Sequence, residues 1–479
     1  MGGVAGCGAA LSGGVRVSGM KRLATLVFLM LAASMGAAPV GVRANGFPHQ
    51  MDTWVAASTS GATANGTNAG SSCTDPGFVA DGTDDNVEIG YAFQDVLAGG
   101  TVHICAGAYY LTGDIVHNDA VTVVGAGMTR TFLIGSAIFN EDGTSGGGVE
   151  HAFLFGEDMI MRGMTIRGFW SDYGAVYGGS LVASHMRFDH NINPLNDGGA
   201  VWVGDVTVRN SIFTDNNSAA NGGAISAGGR IVAIRTRFTR NTTAVNGGAI
   251  DFQDGPTKSR IVDCTFKKNR ALNQGGALFA EPDATVTIRR STFARNRSVS
   301  HGGAARFYES AVRVVNSRFE RNRATVAGGA VDAYHGTLSV VGSTFLRNRS
   351  TTGGGAIVSW QQFRLTMRHS TFIMNRAGVA GGAFLCDCIS AKVFNSTFLQ
   401  NHAHLEGGAF SMLGGLQQEV RGNAFTNNSS PNGGTLHLYT CGGSVGHAQV
   451  RRFKRLNSYA GNHSRGEHPQ IFFDTAHCA

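Results

Sequence analysis

The sequence predicts an all-β fold: a single-stranded, right-handed parallel β-helix of about 26 residues per coil, with a short N-terminal capping helix. Three observations predict it. A Phe-x-x-Asn unit starts at Phe188, Phe213, Phe238, Phe266, Phe293, Phe319, Phe345, Phe372, Phe398 and Phe425, at spacings of 25 to 28 residues. Gly-Gly pairs starting at 198, 222, 247, 275, 302, 328, 354, 381, 407 and 433 keep step with it through ten units. Between them, apolar residues alternate, as Val286, Ile288 and Phe293 do in ATVTIRRSTF (284–293), which marks short half-buried strands. A fixed period of this length is the signature of a solenoid, and no unit has room for an ordinary helix. Glycine, 69 of 479 residues, is about twice its usual share without a Gly-X-Y period, so the chain is turn-rich and not collagen-like.

The elements follow in chain order. Residues 1–44 read as an upstream extension and signal peptide, or an N-terminal anchor: Met20-Lys21-Arg22 is basic, Leu23–Leu31 is apolar, and small residues follow. Cleavage is expected after Ala38 or Ala44, which makes the protein secreted or surface-displayed. Residues 45–74, rich in Gly, Ser and Thr, read as an exposed lead-in. Residues 75–184 read as N-terminal cap and first coils: Asp84 or Asp85 is placed to cap an amphipathic helix from Val87 to Leu97, Gly99-Gly100 ends it, and a strand follows over Thr101–Cys105. Residues 185–440 are regular coils, and 441–479 a C-terminal cap and tail. Seven cysteines remain after the leader. Cys73 with Cys105 and Cys441 with Cys478 are the expected staples, while Cys386 and Cys388, two apart, are poorly spaced to bond one another.

Stacking explains why the same residues recur. Parallel coils repeat at about 4.8 Å, so equivalent residues form ladders. Phe stacks on Phe inside the core. Asn241, Asn269, Asn296, Asn322, Asn348, Asn375 and Asn401 each meet the Asn one coil away, satisfying buried amides. Gly-Gly makes the corner, and the Ala that follows points inward. Of nine Asn-x-Ser/Thr sequons, those at Asn216, Asn241, Asn296, Asn348 and Asn428 fall on the ladder and are too buried to carry a glycan.

These repeats, with Gly-Gly-Ala-Ile at 222–225 and 247–250 alternating with Phe-x-x-Asn, resemble those of chlamydial polymorphic outer membrane proteins over roughly residues 185–435. That resemblance implies an adhesin-like surface protein. The chain departs from the pattern in ending at residue 479 without the autotransporter barrel. DGTDDNVEIGYAFQDVLAGGTVHICAGAYYLTGDIV (81–116) resembles the N-terminal cap of pectate-lyase-superfamily β-helix proteins, and implies a helix over the open end of the solenoid.

Charge is uneven. Residues 1–229 carry net −10, residues 230–376 net +15 and residues 377–479 net +2. The residue after the ladder Asn is Arg270, Arg297, Arg323, Arg349 and Arg376 in successive coils; the residue before it is Arg240, Lys268, Arg295, Arg321 and Arg347. With Asn inward both neighbours face out, so two cationic rows are expected along one face, a candidate seat for an acidic polysaccharide or other polyanion. The bland alternative is that long Arg stems cover apolar surface. The densest acids, Asp172, Asp189, Asp197, Asp205 and Asp215, fall at different offsets from the Gly-Gly pairs and are not expected to converge. His185, His190, His301, His402 and His404 read as turn residues. The expectation is therefore a monomeric, non-catalytic binding protein without metal or cofactor. The alternative is a polysaccharide lyase or glycoside hydrolase, which convergent carboxylates on one face would favour. No aromatic residues interleave with the rows, so nucleic-acid binding is not indicated.

Overall fold

A computed structural model describes residues 50–64, 70–135, 153–253, 258–413, 417–439, 447–464 and 471–474 of the chain. It is a parallel β-solenoid of about 14 coils. One coil serves for all. β3 (Leu278–Ala280) and β4 (Thr285–Arg289) lie on one long sheet, β5 (Thr292–Ala294) on a second and β6 (Arg297–Ser298) on a third. Each pairs in parallel with its counterpart one coil on, Val286 with Val312, Phe293 with Phe319 and Arg297 with Arg323. Alternation decides the faces: Val286, Ile288, Phe293 and Ser298 are buried, and Arg289 and Arg297 are exposed.

The ladders form as expected. The rings of Phe266, Phe293, Phe319, Phe345 and Phe372 stack at 4.7–4.8 Å, within 4° of parallel. Asn322 Nδ2 donates to Asn348 Oδ1 at 3.0 Å and to the Phe293 carbonyl at 2.9 Å. Its backbone N–H donates to Asn348 Oδ1, and its own Oδ1 accepts both the N–H and the Nδ2 of Asn296, each at 3.0 Å. Every polar atom of the amide is thus used, which is how a side chain only 1 % exposed is tolerated. The same bonds run from Asn191 to Asn462. A second ladder lies one corner away: the N–H of Ser291 donates to Ser317 Oγ, Ser317 to Ser343 and Ser343 to Ser370.

The Gly-Gly pair does two separate jobs. Gly302 has φ +65°, where a side chain is strained. Gly303 is required for closeness: a Cβ there would stand 2.2 Å from the Gly329 carbonyl oxygen and 2.5 Å from the carbonyl carbon of Arg323. The corner before the ladder Asn is held mostly without glycine. Arg240, Lys268, Arg295, Arg321 and Arg347, immediately before the ladder Asn, all have φ between +53° and +58°.

Several expectations need correction. Within the lead-in expected to be exposed, β1 (Gln50–Ala56) pairs with β2 (Val96–Ile104), and Val55 and Ala56 are fully buried, because that strand supplies an apolar rung to the first coil. The helix, α1 (Asn86–Asp95), is present, but Asp85 makes no side-chain cap to it. Its carboxylate instead accepts from the N–H of Gly82 at 2.7 Å and of Tyr110 at 2.6 Å, tying the helix start to the strand Gly107–Leu111. Cys73 and Cys105 are bonded, as expected. Cys386 and Cys388 are bonded too, against expectation: side chains two apart on a strand share a face, and an irregular register here brings their Cα atoms to 5.3 Å. Cys441, Cys478 and the leader lie outside the described residues. At the C-terminal end α2 (His447–Leu456) buries Phe453, and Asn457 and Asn462 continue the polar ladders.

Candidate functional site

The cationic rows assemble from the coil geometry alone. Each ladder Asn is buried, so chain alternation turns the residues on either side outward. Arg270, Arg297, Arg323, Arg349 and Arg376 are all exposed and register-paired one to the next without a slip. Thr242 precedes them in the row and His402 follows. At the strand spacing, five positions span roughly 19 Å. Among the described residues, no carboxylate lies within ion-pairing distance of any of these five arginines.

The second row, Arg240, Lys268, Arg295, Arg321 and Arg347, occupies the left-handed corner on the other side of the Asn. Such a conformation costs a side chain of order 1 kcal/mol. Cross-coil bonds offset it: Lys268 N–H donates to the Ala294 carbonyl at 3.0 Å, and Arg321 N–H to that of Leu346 at 2.9 Å. At its N-terminal end this row is neutralised, with Arg240 Nε donating to Asp215 Oδ1 at 2.7 Å; further along, Arg321 lies 3.8 Å from Glu320.

Two of the acids do converge. His190 Nδ1 is 2.9 Å from Asp189 Oδ1, and its Nε2 is 3.8 Å from Asp215 Oδ2. Asp189 and Asp215 share a corner because they sit at neighbouring offsets in consecutive coils, before and after His190. Arg187 Nη2 holds Asp189 at 3.1 Å. Partial burial pushes the Asp215 carboxyl up, but the bonds from Arg240 and Thr214 and the Arg240 charge hold it below the usual range. Asp189, His190 and Asp215, with Arg187 and Arg240, thus form an ion-pair network at the head of the second cationic row. Of the other acids, Asp197 accepts from the Asn221 N–H at 2.7 Å and from Gln253, and Asp205 accepts from the Arg230 N–H at 2.7 Å.

A third group was not foreseen. The outward row running through Ser226, Asp251, Phe279, Arg306, Asp332 and Val358 is buried, because the turns before the Gly-Gly pairs fold over it, with Ala327 and Ala380 packing on Val358 and Leu385. Arg306 Nη1 lies 3.2 Å from Asp332 Oδ1, and Trp360 Nε1 donates to Asp332 Oδ2 at 3.3 Å. Burial raises the Asp332 carboxyl, opposed by Arg306, and burial lowers the nearby His301 imidazole. The pair is sealed inside the wall, and it serves the coil stack.

The model of the right-handed β-helix region matches residues 153–302 and 249–429, more than half of the chain, and the chain belongs to that family. No curated protein matches it in sequence. Among solved structures, it is similar to the ORF18 protein of Geobacillus virus E2, with 16% identity, a TM-score of 0.39, and 65% of this chain and 61% of that one covered. The chain thus spans about three fifths of the viral protein's length. It is also similar to the catalytic domain of a GH87 α-1,3-glucanase in complex with tetrasaccharides (10% identity, TM-score 0.42, 72% and 68% covered). A third similarity is to the A-module of the mannuronan C-5 epimerase AlgE6 of Azotobacter vinelandii (12% identity, TM-score 0.32, 82% and 96% covered).

Proposed function

We propose that this β-helix protein is exported and binds an acidic polysaccharide along its arginine edge, holding it without acting on it, as an adhesin does. The observation that carries the reading is the row Arg270–Arg297–Arg323–Arg349–Arg376: five exposed guanidinium groups in unbroken register with no carboxylate among the described residues to neutralise them. Like charges at this spacing repel, and a polyanion laid along the row removes the repulsion and gains all five attractions at once. The disulfide of Cys73 with Cys105 supports an oxidising destination.

The test compares two triple variants. Arg297→Gln, Arg323→Gln and Arg349→Gln together are expected to weaken binding to an acidic polysaccharide at least tenfold, with a steep salt dependence lost in parallel. Arg451→Gln, Arg452→Gln and Lys454→Gln, equally exposed on α2, are expected to matter little. Equal losses from both would reduce the row to general attraction by a chain of net charge +7. Export is checked by sequencing the N-terminus of the secreted protein, expected at Pro39 or Asn45; finding Met1 or Met20 there would replace the cleaved leader with an anchor.

A further inference from the structure

The N-terminal end of the solenoid carries a cleft that shares no residue with the arginine edge. β1 is the first rung. On one side it pairs with β2, placing Asp52 opposite Thr101 and Trp54 opposite His103. On the other side only Val55 and Ala56 are paired, with Phe78 and Val79, so among the described residues no strand covers Gln50–Trp54 there. A hairpin, Gly70–Ser72 with Asp75–Pro76, packs beside β1. The Cys73–Cys105 disulfide fastens that hairpin to the residue that follows β2. Hairpin and rung enclose an open cleft of about 450 Å³, within the range of about 300–1,000 Å³ usual for small-ligand sites.

The cleft has an aromatic floor and a polar rim. The Trp54 indole stacks on the His103 imidazole, with centroids 3.9 Å apart and planes 7° from parallel. That contact covers the indole face toward β2 and leaves the opposite face on the side where β1 has no partner strand. Asp52 Oδ1 lies 3.0 Å from His103 Nε2 and fixes the imidazole. The Asp52 side chain is 58 % exposed, and among the described residues its Oδ2 has no hydrogen-bond partner. Ser71 Oγ donates to Asp75 Oδ2 at 2.8 Å, which leaves its lone pairs to accept from a ligand. Among the described residues that line the cleft there is no Lys or Arg.

We infer that this cleft binds one ring of a neutral sugar, stacked on Trp54 and held at its hydroxyls by Asp52 and Ser71. A pyranose presents carbon-bound hydrogens on one face, which suit the electron-rich face of an indole. Its rim carries neighbouring hydroxyls, which donate to a carboxylate in charge-assisted bonds. A sugar acid would meet the Asp52 charge with no cation beside it, so the preference is opposite to that of the arginine edge. Quaternary ammonium ligands are held in cages of several aromatic faces; here the wall facing Trp54 is the backbone and hydroxyl of Gly70–Ser71. The clamped indole and the disulfide-held wall are set before the ligand arrives, which lowers the ordering cost of binding.

The experiment is ligand-detected NMR and calorimetric titration of the purified chain with the methyl glycosides of glucose, galactose and mannose. At least one is expected to bind saturably, with an affinity unchanged between low and about 1 M salt, because the ligand carries no charge to screen. Trp54→Ala should weaken that binding by about tenfold or more, and Asp52→Asn severalfold. Ser71→Gln, a change at an exposed position that extends a longer side chain over the cleft, should abolish it and serves where Trp54→Ala does not fold. Glucuronic acid and tetramethylammonium, added as competitors at low salt, should displace the bound glycoside far less well than the glycoside itself. The assignment is overturned if none of the glycosides binds, or if binding survives both Trp54→Ala and Ser71→Gln. It is equally overturned if either charged competitor displaces the sugar as well as the sugar does.

Discussion

A single buried carboxylate shows how much one residue can hold in this wall. Asp332 is fully buried, with Arg306 as its cation and Trp360 as its donor. Arg306→Met leaves that carboxylate without a cation, and breaking a buried pair in this way costs about 3–5 kcal/mol. Arg306→Met combined with Asp332→Leu should recover most of the loss, since a well-packed apolar pair is no worse than an ionic one. The single variant should also respond to pH in a fixed direction. Burial raises the folded pKa of Asp332, so its neutral form is the tolerated one, and the deficit should shrink as pH falls and grow as pH rises through the raised value. Denaturant melts of the three proteins at two pH values check this; a deficit independent of pH would place the damage in packing. Asp263 runs the other way. The bond from Arg290 Nε at 2.7 Å holds its carboxyl below the usual range. Its contribution is therefore present above the ordinary carboxylate pKa and lost as pH falls through the lowered one, and Asp263→Asn should flatten that acid limb.

At the scale of the element, the ladder turns one substitution into several broken bonds. Asn322→Leu removes the acceptor for Asn296 N–H and Nδ2 and the donor to Asn348 Oδ1 and the Phe293 carbonyl. Orphaned buried groups cost about 1–3 kcal/mol each, so a loss of about 3 kcal/mol or more is expected by denaturant unfolding. An unchanged midpoint would mean that the Asn ladder is not where the coils are joined. This ladder was legible in the sequence for a physical reason: in a parallel stack a residue's partner is its own equivalent, so Phe293 and Asn296 recur because Phe319 and Asn322 demand it. Elements that pair unlike residues leave no such trace. Arg306 and Asp332 occupy equivalent places in consecutive coils, yet share no residue type, and their burial depends on turns whose sequences differ coil by coil. The meeting of Asp189 and Asp215 at His190 is hidden in offsets from the Gly-Gly pairs, because the two acids stand one and two residues after the Phe of consecutive units. The left-handed corner leaves no trace in the sequence because most of its occupants, such as Arg240, Lys268, Arg295, Arg321 and Arg347, are not the residue types that favour that conformation. The two rows themselves were legible, since inward Asn forces outward neighbours.

For the whole molecule, charge and coil geometry oppose one another. The middle of the chain, residues 230–376, carries net +15. Ion pairs such as Arg290–Asp263 and Arg318–Glu320 absorb part of it, but among the described residues the Arg270–Arg376 row has none. Guanidinium groups at the coil pitch repel by roughly 1 kcal/mol per neighbouring pair at the dielectric of water. Raising ionic strength from about 0.01 M to about 0.15 M shortens the Debye length from about 30 Å to about 8 Å and removes much of that. Salt is thus expected to raise the unfolding midpoint, the reverse of what a surface held by ion pairs does. Arg297→Gln, Arg323→Gln and Arg349→Gln together should raise the midpoint at low salt and flatten its salt dependence. If instead the arginine stems hold the coils together, the same variant is less stable at every salt concentration, and the row belongs with packing. A bound glycan acts as salt does, but selectively. It binds the folded coils alone and stabilises them by RT ln(1 + [L]/Kd), about 2.7 kcal/mol at a hundredfold excess over Kd. An acidic-polysaccharide oligomer should therefore raise the midpoint of the native chain at low salt by more than that of the triple variant, because the variant binds it more weakly.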